Sequence, residues 1–272
     1  MAEDWNEYFI NRWDKVRVFK CGHVVEMSYV QGLNDKATVL RIDKDHYIVV
    51  GTGDIREISH WDTRADGVGS VRETMKRLRR LINCNFCGAD NELFITLTYA
   101  ENMRDTCRLY KDFEKFMKRF RYRFGHSEYI CCVEPQQRGA WHCHVLVRFD
   151  GRDYVYIANK DVKDCWGHGY VSTKRLFNVD NVGAYVTAYL TNLVVGEGKE
   201  AVTIKGRKLE MYPVGVRIYR RSKGIVDPEV ERMDYVDFRR LVGKGERRYR
   251  GQYVGEWGGK SHVIIREEWH LG

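Results

Sequence analysis

Hydrophobic residues follow two different periods along the middle of the chain. Alternating or β-branched runs, which are typical of strands, take turns there with the three-and-four spacing of amphipathic helices. The order is strand, helix, strand, strand, helix, strand, and one further helix follows. The predicted strands are Leu93–Tyr99, Glu128–Glu134, Trp141–Phe149 and Tyr170–Lys174, and the predicted helices are Arg104–Phe124, Asn159–Trp166 and Asn181–Leu193.

This order of elements is that of the ferredoxin-like fold. We therefore predict an α+β fold of the ferredoxin or RRM-like type, in which a four-stranded antiparallel sheet carries helices on one face. The further helix is then available to cover the open face. The chain is expected to divide into a β-rich N-terminal region at 1–69, this core at 70–195, and a basic β-rich C-terminal flank at 196–272.

Two further local patterns lie outside the strands and helices given above. Ser70-Val-Arg-Glu73 has the form of a capping box, which predicts the start of a helix with one basic side. The flank after Ala201 is expected to pack with the β-rich residues 16–60, through strands near Val202 and Gly215–Tyr219.

The charge balance favours a polyanionic partner. Lys and Arg number 46 against 38 Asp and Glu, and the formal net charge is +8. Most of this excess lies after Ala201. Basic runs at Arg217–Lys223 and Arg247–Arg250 contain tyrosines, which suits contacts to a DNA backbone and stacked bases, although solvated faces have the same composition.

Other classes of protein are disfavoured by composition. No apolar run approaches the length of a membrane span and the first residues are acidic and polar, so the expected location is the cytoplasm. The cysteines, including the adjacent Cys131 and Cys132, are interpreted as reduced, mostly buried thiols. Cys84-x-x-Cys87 has the spacing of one half of a zinc site, but no second Cys or His pair follows at the spacing of a zinc finger.

A candidate metal site lies on one of the predicted strands. His142 and His144 are two residues apart, which puts both imidazoles on the same face about 7 Å apart along the backbone. A hairpin through residues 135–140 would bring Glu134 beside them. Two imidazoles and one carboxylate suit a divalent ion with open positions. The alternative is that each histidine is simply a hydrogen-bonded core residue.

Two tyrosines lie one helical turn apart near the end of this region. Tyr185 and Tyr189 share one face of the last predicted helix, downstream of the histidine strand. Tyrosines at this spacing commonly serve only as packing aromatics. A phenol can also act as a covalent nucleophile, and this helix is the one that the predicted fold leaves without a partner.

Taken in order, these motifs resemble those of HUH endonucleases of the rolling-circle replication initiator type. The strand Phe94-Ile-Thr-Leu-Thr98, the pair His142-x-His144 and the pair Tyr185-x-x-x-Tyr189 correspond to the three motifs of that family. The resemblance covers roughly residues 70–195. It implies that Phe94–Thr98 is the central strand, that the histidines bind metal, and that one of the tyrosines attacks DNA.

The resemblance also implies roles for other residues. Glu134 sits where related initiators carry a carboxylate ligand, and the ion would be Mg²⁺ or Mn²⁺. Conjugative relaxases place the tyrosines before the histidines, so the order here is that of replication initiators. Many initiators have Lys three residues after a tyrosine, whereas Ala188 and Asn192 stand here. This leaves open which tyrosine attacks first, and whether Lys174 or Arg175 takes the place of the missing lysine.

The predicted function is therefore nicking and rejoining of single-stranded origin DNA through a metal ion and a covalent 5′-phosphotyrosine. Rejoining needs no ATP because the phosphotyrosine retains the bond energy. The expected partners are origin DNA, single-stranded or hairpin with flanking duplex, and a host helicase, since no helicase domain fits in the chain. The gene would sit on a plasmid, phage or integrated element. The alternatives are a transposase of the same superfamily and a non-catalytic RRM-like nucleic-acid-binding protein.

Overall fold

The computed structural model describes residues 8–32, 39–58, 68–136, 138–176, 179–191, 193–195, 202–204, 212–213, 215–257 and 259–271. The strands are β1 (Lys15–Cys21), β2 (Val24–Val30), β3 (Val39–Arg41), β4 (His46–Val49), β5 (Ile55–Glu57), β6 (Glu92–Tyr99), β7 (Glu128–Pro135), β8 (Trp141–Arg148), β9 (Gly169–Lys174), β10 (Leu193–Val195), β11 (Val202–Ile204), β12 (Tyr219–Arg221), β13 (Glu229–Asp234), β14 (Glu246–Trp257) and β15 (Lys260–His270). The helices are α1 (Val68–Asn85), α2 (Thr106–Phe124), α3 (Asn159–Trp166), α4 (Val182–Thr191) and α5 (Tyr235–Val242).

The central sheet has the strand order β12-β7-β8-β6-β9, and each neighbouring pair is antiparallel. With α2 and α3 in its connections, the order β9-β6-β8-β7 is that of the ferredoxin-like fold. The predicted α+β class is confirmed. The structure adds β12, which extends the sheet beyond β7.

One face of this sheet packs against α2 and α3. The apolar residues of α2 recur at three and four, so Leu109, Phe113, Phe116 and Phe120 form one buried side. Odd-numbered residues of β6 and β8 meet them, because side chains alternate between the faces of a strand. The helix begins at the N-cap Asp105, whose side chain accepts from two backbone N–H groups of the first turn.

The opposite face packs against α1 and α4, and we call it the α4 face. Leu78 and Ile82 of α1 and Val182 and Val186 of α4 form one buried cluster with Phe94 of β6. The expectation that the further helix covers the open face is confirmed, although α1 shares this role.

The capping-box prediction for the start of α1 is wrong. The helix begins at Val68, so Ser70 lies inside it, and the Ser70 carbonyl accepts a hydrogen bond from the Thr74 hydroxyl at 2.9 Å. A residue whose own backbone is already helical cannot serve as the N-cap.

The chain forms two compact units, 20–24 with 63–229, and 1–19 with 25–62 and 230–272. The second unit contains a sheet of order β13-β1-β2-β15-β14. The expected packing of the basic flank with the opening strands is thus confirmed for β13, β14 and β15. It is wrong for the strand near Val202, because β11 pairs with β10 in a separate two-stranded sheet. The residues near Gly215–Tyr219 behave differently, because Val216 and Ile218 are buried in the core of the first unit and β12 pairs with β7.

The cysteines of the first unit lie in different environments. Cys131 and Cys132 are buried, and burial raises the pKa of both thiols, which keeps them protonated. Cys84 and Cys87 point to different partners, the Lys20 carbonyl and the Glu92 carboxylate. No helix within the described ranges is long and apolar enough to cross a membrane.

Candidate functional site

The paired strands β6, β7 and β8 bring the predicted metal ligands together on the α4 face. His144 lies opposite Thr96 of β6 on one side and opposite Cys132 of β7 on the other. Glu134 of β7 lies opposite His142. Residues directly opposite in an antiparallel sheet project to the same face. The hairpin therefore places Glu134 beside both histidines, as the sequence predicted.

His144 is held through both ring nitrogens. Its Nε2 lies 3.0 Å from Oε2 of Glu134, and its Nδ1 lies 3.2 Å from the hydroxyl of Thr96. The ring also stacks on Phe94, with centroids 5.8 Å apart and planes within 9°. The His144 and Glu134 side chains are both buried. This orientation leaves His144 little rotational freedom.

The imidazole nitrogens and the carboxylate are donor types that suit a divalent ion. The distance between one pair of these donor atoms also fits such an ion. Two ligands of one ion at about 2.1 Å and at right angles are about 3.0 Å apart, which is the separation of His144 Nε2 and Glu134 Oε2. The His142 ring lies 6.0 Å from the His144 ring, centroid to centroid. Across the described part of the chain, no three His, Cys, Asp or Glu side chains already converge as a metal-binding group. His142 would therefore have to turn to become a third ligand.

The start of α4 is bound to α1 by two asparagines. The Asn181 side chain accepts from the backbone N–H of Ala184 at 2.7 Å, and Asn83 of α1 accepts from that of Gly183 at 2.7 Å. The two amides also bond to each other at 3.0 Å. These N–H groups are consequently engaged and are not available to a phosphate near Tyr185.

Helix α4 packs on the same sheet face as the histidines. Val182 and Val186 share a buried cluster with Phe94 and Leu146, and Phe94 is the residue on which His144 stacks. Tyr185 lies in the first turn of this helix with 41% of its surface exposed. Its side chain is thus partly accessible to solvent.

The other residues considered for the reaction lie around this face. Tyr189 belongs to α4 one turn after Tyr185, and its side chain lies outside the described residues. Arg175 is engaged by Asp90, with a 2.7 Å contact to that carboxylate. Lys174 lies opposite Phe94 on the edge strand β9, and therefore on the α4 face. Of the two basic residues proposed as substitutes, Lys174 shares the face of the histidines and Arg175 is paired with Asp90.

Two contributors to the site were missed from the sequence. Thr96 lies in the first motif, Phe94–Thr98. It is two residues after Phe94, so strand alternation could have indicated that both side chains are on the same face of the sheet. Asn83 has no local signal, because its partners are far away along the chain.

Comparison with known proteins links this region to replication. Residues 92–193 match a family model described as replication-associated protein ORF2. The matched segment is rather more than a third of the chain, and it includes both histidines, Glu134 and Tyr185. This similarity supports a replication protein of the Rep type. No curated protein and no solved structure matches the chain.

Proposed function

We propose that the protein is a rolling-circle replication initiator that nicks and rejoins one strand of origin DNA. The observation that carries this proposal is the shared sheet face, on which His142, His144 and Glu134 lie together with α4, the helix of Tyr185. Similarity of residues 92–193 to replication-associated proteins supports the same function.

His142, His144 and Glu134 would hold Mg²⁺ or Mn²⁺. Such an ion, when bound, would stabilise negative charge on the scissile phosphate and the leaving oxygen. For His144 to act as a ligand through Nε2, its ring proton must sit on Nδ1. The Thr96 hydroxyl, 3.2 Å from Nδ1, can accept that proton in a hydrogen bond. Thr96 is therefore proposed as a positioning residue that selects the His144 tautomer.

Tyr185 is proposed as the first nucleophile. Its phenolic oxygen would form a bond to the scissile phosphorus while the bond from phosphorus to the 3′ oxygen breaks. The phenol loses its proton and the released 3′ oxygen gains one. Attack by a 3′ hydroxyl on the phosphotyrosine reverses these steps and rejoins DNA without ATP. Tyr189 would accept a second strand or orient the first.

A covalent adduct is the direct test. The protein is incubated with Mn²⁺ and single-stranded oligonucleotides tiled across the DNA that flanks the gene, then resolved on a denaturing gel. Tyr185→Phe should eliminate the adduct, whereas Tyr189→Phe should retain it on a first-cleavage substrate. Tyr122→Phe, at a tyrosine 95% exposed on α2, is the matched control and should behave as wild type. An adduct that survives in the double variant of Tyr185 and Tyr189 would exclude both as nucleophiles.

The metal ligands and Thr96 are tested in the same assay. Changing either histidine to Ala should abolish the adduct while leaving DNA binding nearly intact. Thr96→Val should reduce adduct formation by about 10–100-fold, because loss of a group that orients a ligand has this order of effect. Thr96→Ser keeps the hydroxyl and should restore activity. A Ser variant as defective as the Val variant would contradict the positioning role.

The alternative functions make different demands on the fold. An RRM-like module binds single strands with exposed aromatics on its open sheet face. Phe94 is instead buried beneath helices here, which disfavours that alternative. A transposase would use the same chemistry as an initiator. Replication of a plasmid carrying the gene, as opposed to excision of a flanked segment, would distinguish them. We propose origin DNA and a host helicase as partners of the initiator.

A further inference from the structure

The added strand β12 lies in register with the candidate site. Tyr219 is opposite Cys132 of β7, and Cys132 is opposite His144 of β8. Two strand spacings of about 4.8 Å therefore separate Tyr219 from His144, or about 10 Å in all. Arg221 is two residues after Tyr219 in β12, so it projects to the α4 face as well.

A groove runs along this strand at the edge of the sheet. Its volume is about 570 Å³, and it is lined by Thr74 of α1, Tyr129 of β7 and the segment Arg217–Arg221. Three of these five segment residues are arginines. Arg220 projects to the opposite face of β12, where it stacks over the ring of Tyr110 with its guanidinium carbon 3.4 Å from the ring centroid. The groove itself combines the positive charge of Arg217 and Arg221 with the aromatic surface of Tyr219.

The acidic neighbours neutralise only part of this charge. Arg221 forms a two-pronged ion pair with Asp227, at 2.7 and 2.8 Å. Glu114 lies 4.0 Å from Arg220. Arg217 is exposed and makes no ion pair with any residue that the structure describes. One arginine is therefore available to a ligand directly, and a second could exchange its carboxylate for a phosphate.

We infer that this groove binds single-stranded DNA next to the scissile phosphate. Arg217 and Arg221 would contact backbone phosphates, and the half-buried ring of Tyr219 would provide a stacking surface for a base. Stacking needs an unpaired base, which favours a single strand over a duplex. About one or two nucleotides would bridge the roughly 10 Å to His144. This inference rests on the proposed function and assigns substrate binding to a strand outside the segment that matches known replication proteins.

Binding of a labelled thymidine oligonucleotide in EDTA tests the groove without cleavage. Replacing Arg217 and Arg221 together by Ala should weaken binding at least tenfold at about 100 mM salt. It should also reduce the slope of log affinity against log salt by about 1 to 1.5, because each phosphate contact to a single strand contributes about 0.7. Asp227→Asn should tighten binding, since it releases Arg221.

The matched control removes an arginine of similar setting elsewhere in the same unit. Arg123 is exposed on α2 and pairs with Asp161, as Arg221 pairs with Asp227. Arg123→Ala should change the affinity less than twofold. Equal affinities for this control and the double groove variant would overturn the inference. So would a groove variant that loses affinity only for duplex DNA.

A wrong assignment of DNA binding to the groove can be distinguished from a wrong assignment of the reaction. If the double groove variant forms the covalent adduct at saturating DNA but binds the thymidine oligonucleotide weakly, the groove and the reaction are both supported. Normal oligonucleotide binding by this variant, together with a normal adduct, would refute only the groove. Absence of any adduct from the wild type would refute the reaction. The binding measurement would still show whether the groove binds single-stranded DNA.

Discussion

The contact between α1 and α4 leaves no room for a side chain at Gly183. A Cβ there would lie 2.3 Å from the backbone oxygen of Arg79 and 2.7 Å from Oδ1 of Asn83. Real Cβ contacts are essentially never shorter than 3.0 Å. Gly183→Ala must therefore displace α4 from α1 by roughly 0.7 Å, because the backbone of α1 cannot yield like a flexible side chain.

Three contributions set the change in the free energy of unfolding of this variant. One is stabilising and two are destabilising. Alanine is favoured over glycine within a helix by about 0.8–1.0 kcal/mol. Overpacking costs about 1–3 kcal/mol. The displacement also weakens the hydrogen bond from the Gly183 N–H to Asn83, and such a bond contributes about 0.5–1.5 kcal/mol. The sum is a net destabilisation of about 0.5–3.7 kcal/mol.

Urea denaturation followed by circular dichroism measures this difference. Ala188→Gly is the control, because Ala188 is exposed on the same helix and its replacement changes only helix propensity, by about 1 kcal/mol. In the adduct assay, Gly183→Ala should reduce the yield because it displaces Tyr185. An increase of about 1 kcal/mol in the stability of Gly183→Ala would match propensity alone. That result would refute the close contact between the two helices.

Three further perturbations test other parts of the fold. Asp105→Ala should lower the stability of the first unit by about 1 kcal/mol, measured by urea denaturation, because α2 loses its N-cap; no change would contradict the cap. Phe116→Ala should cost about 3–5 kcal/mol in the same measurement, since a fully buried ring leaves a cavity, and a loss below 1 kcal/mol would mean that the site collapses. The hydrogen bond from Arg221 lowers the pKa of Asp227, so the stability it contributes is present above the unfolded pKa and is lost as pH falls through the folded pKa. The denaturation midpoints of wild type and Asp227→Asn should therefore differ at pH 7 and converge in acid, and a difference that grows in acid would reverse this linkage.

Local periodicity was sufficient to predict the elements of the core. The apolar residues of α2 and the alternation along β6 and β8 depend on neighbours within one or two helical turns or strand residues, which the sequence displays directly. The position of Glu134 beside the histidines was also predictable, because a short hairpin connects β7 to β8. The start of α1 was not, since helix ends depend on which N–H groups find partners outside the pattern.

By itself, the sequence determined the order of elements, the α+β class, and the three motifs with their candidate roles. Only the tertiary structure showed that Asn83 of α1 caps α4, that Thr96 bonds to His144, and that β12 joins the central sheet in line with His144. These relationships join residues 48 to 100 positions apart. Hydrogen bonding and side-chain packing between such residues depend on how the elements are brought together in space, and no local pattern of hydrophobic and polar residues encodes that arrangement.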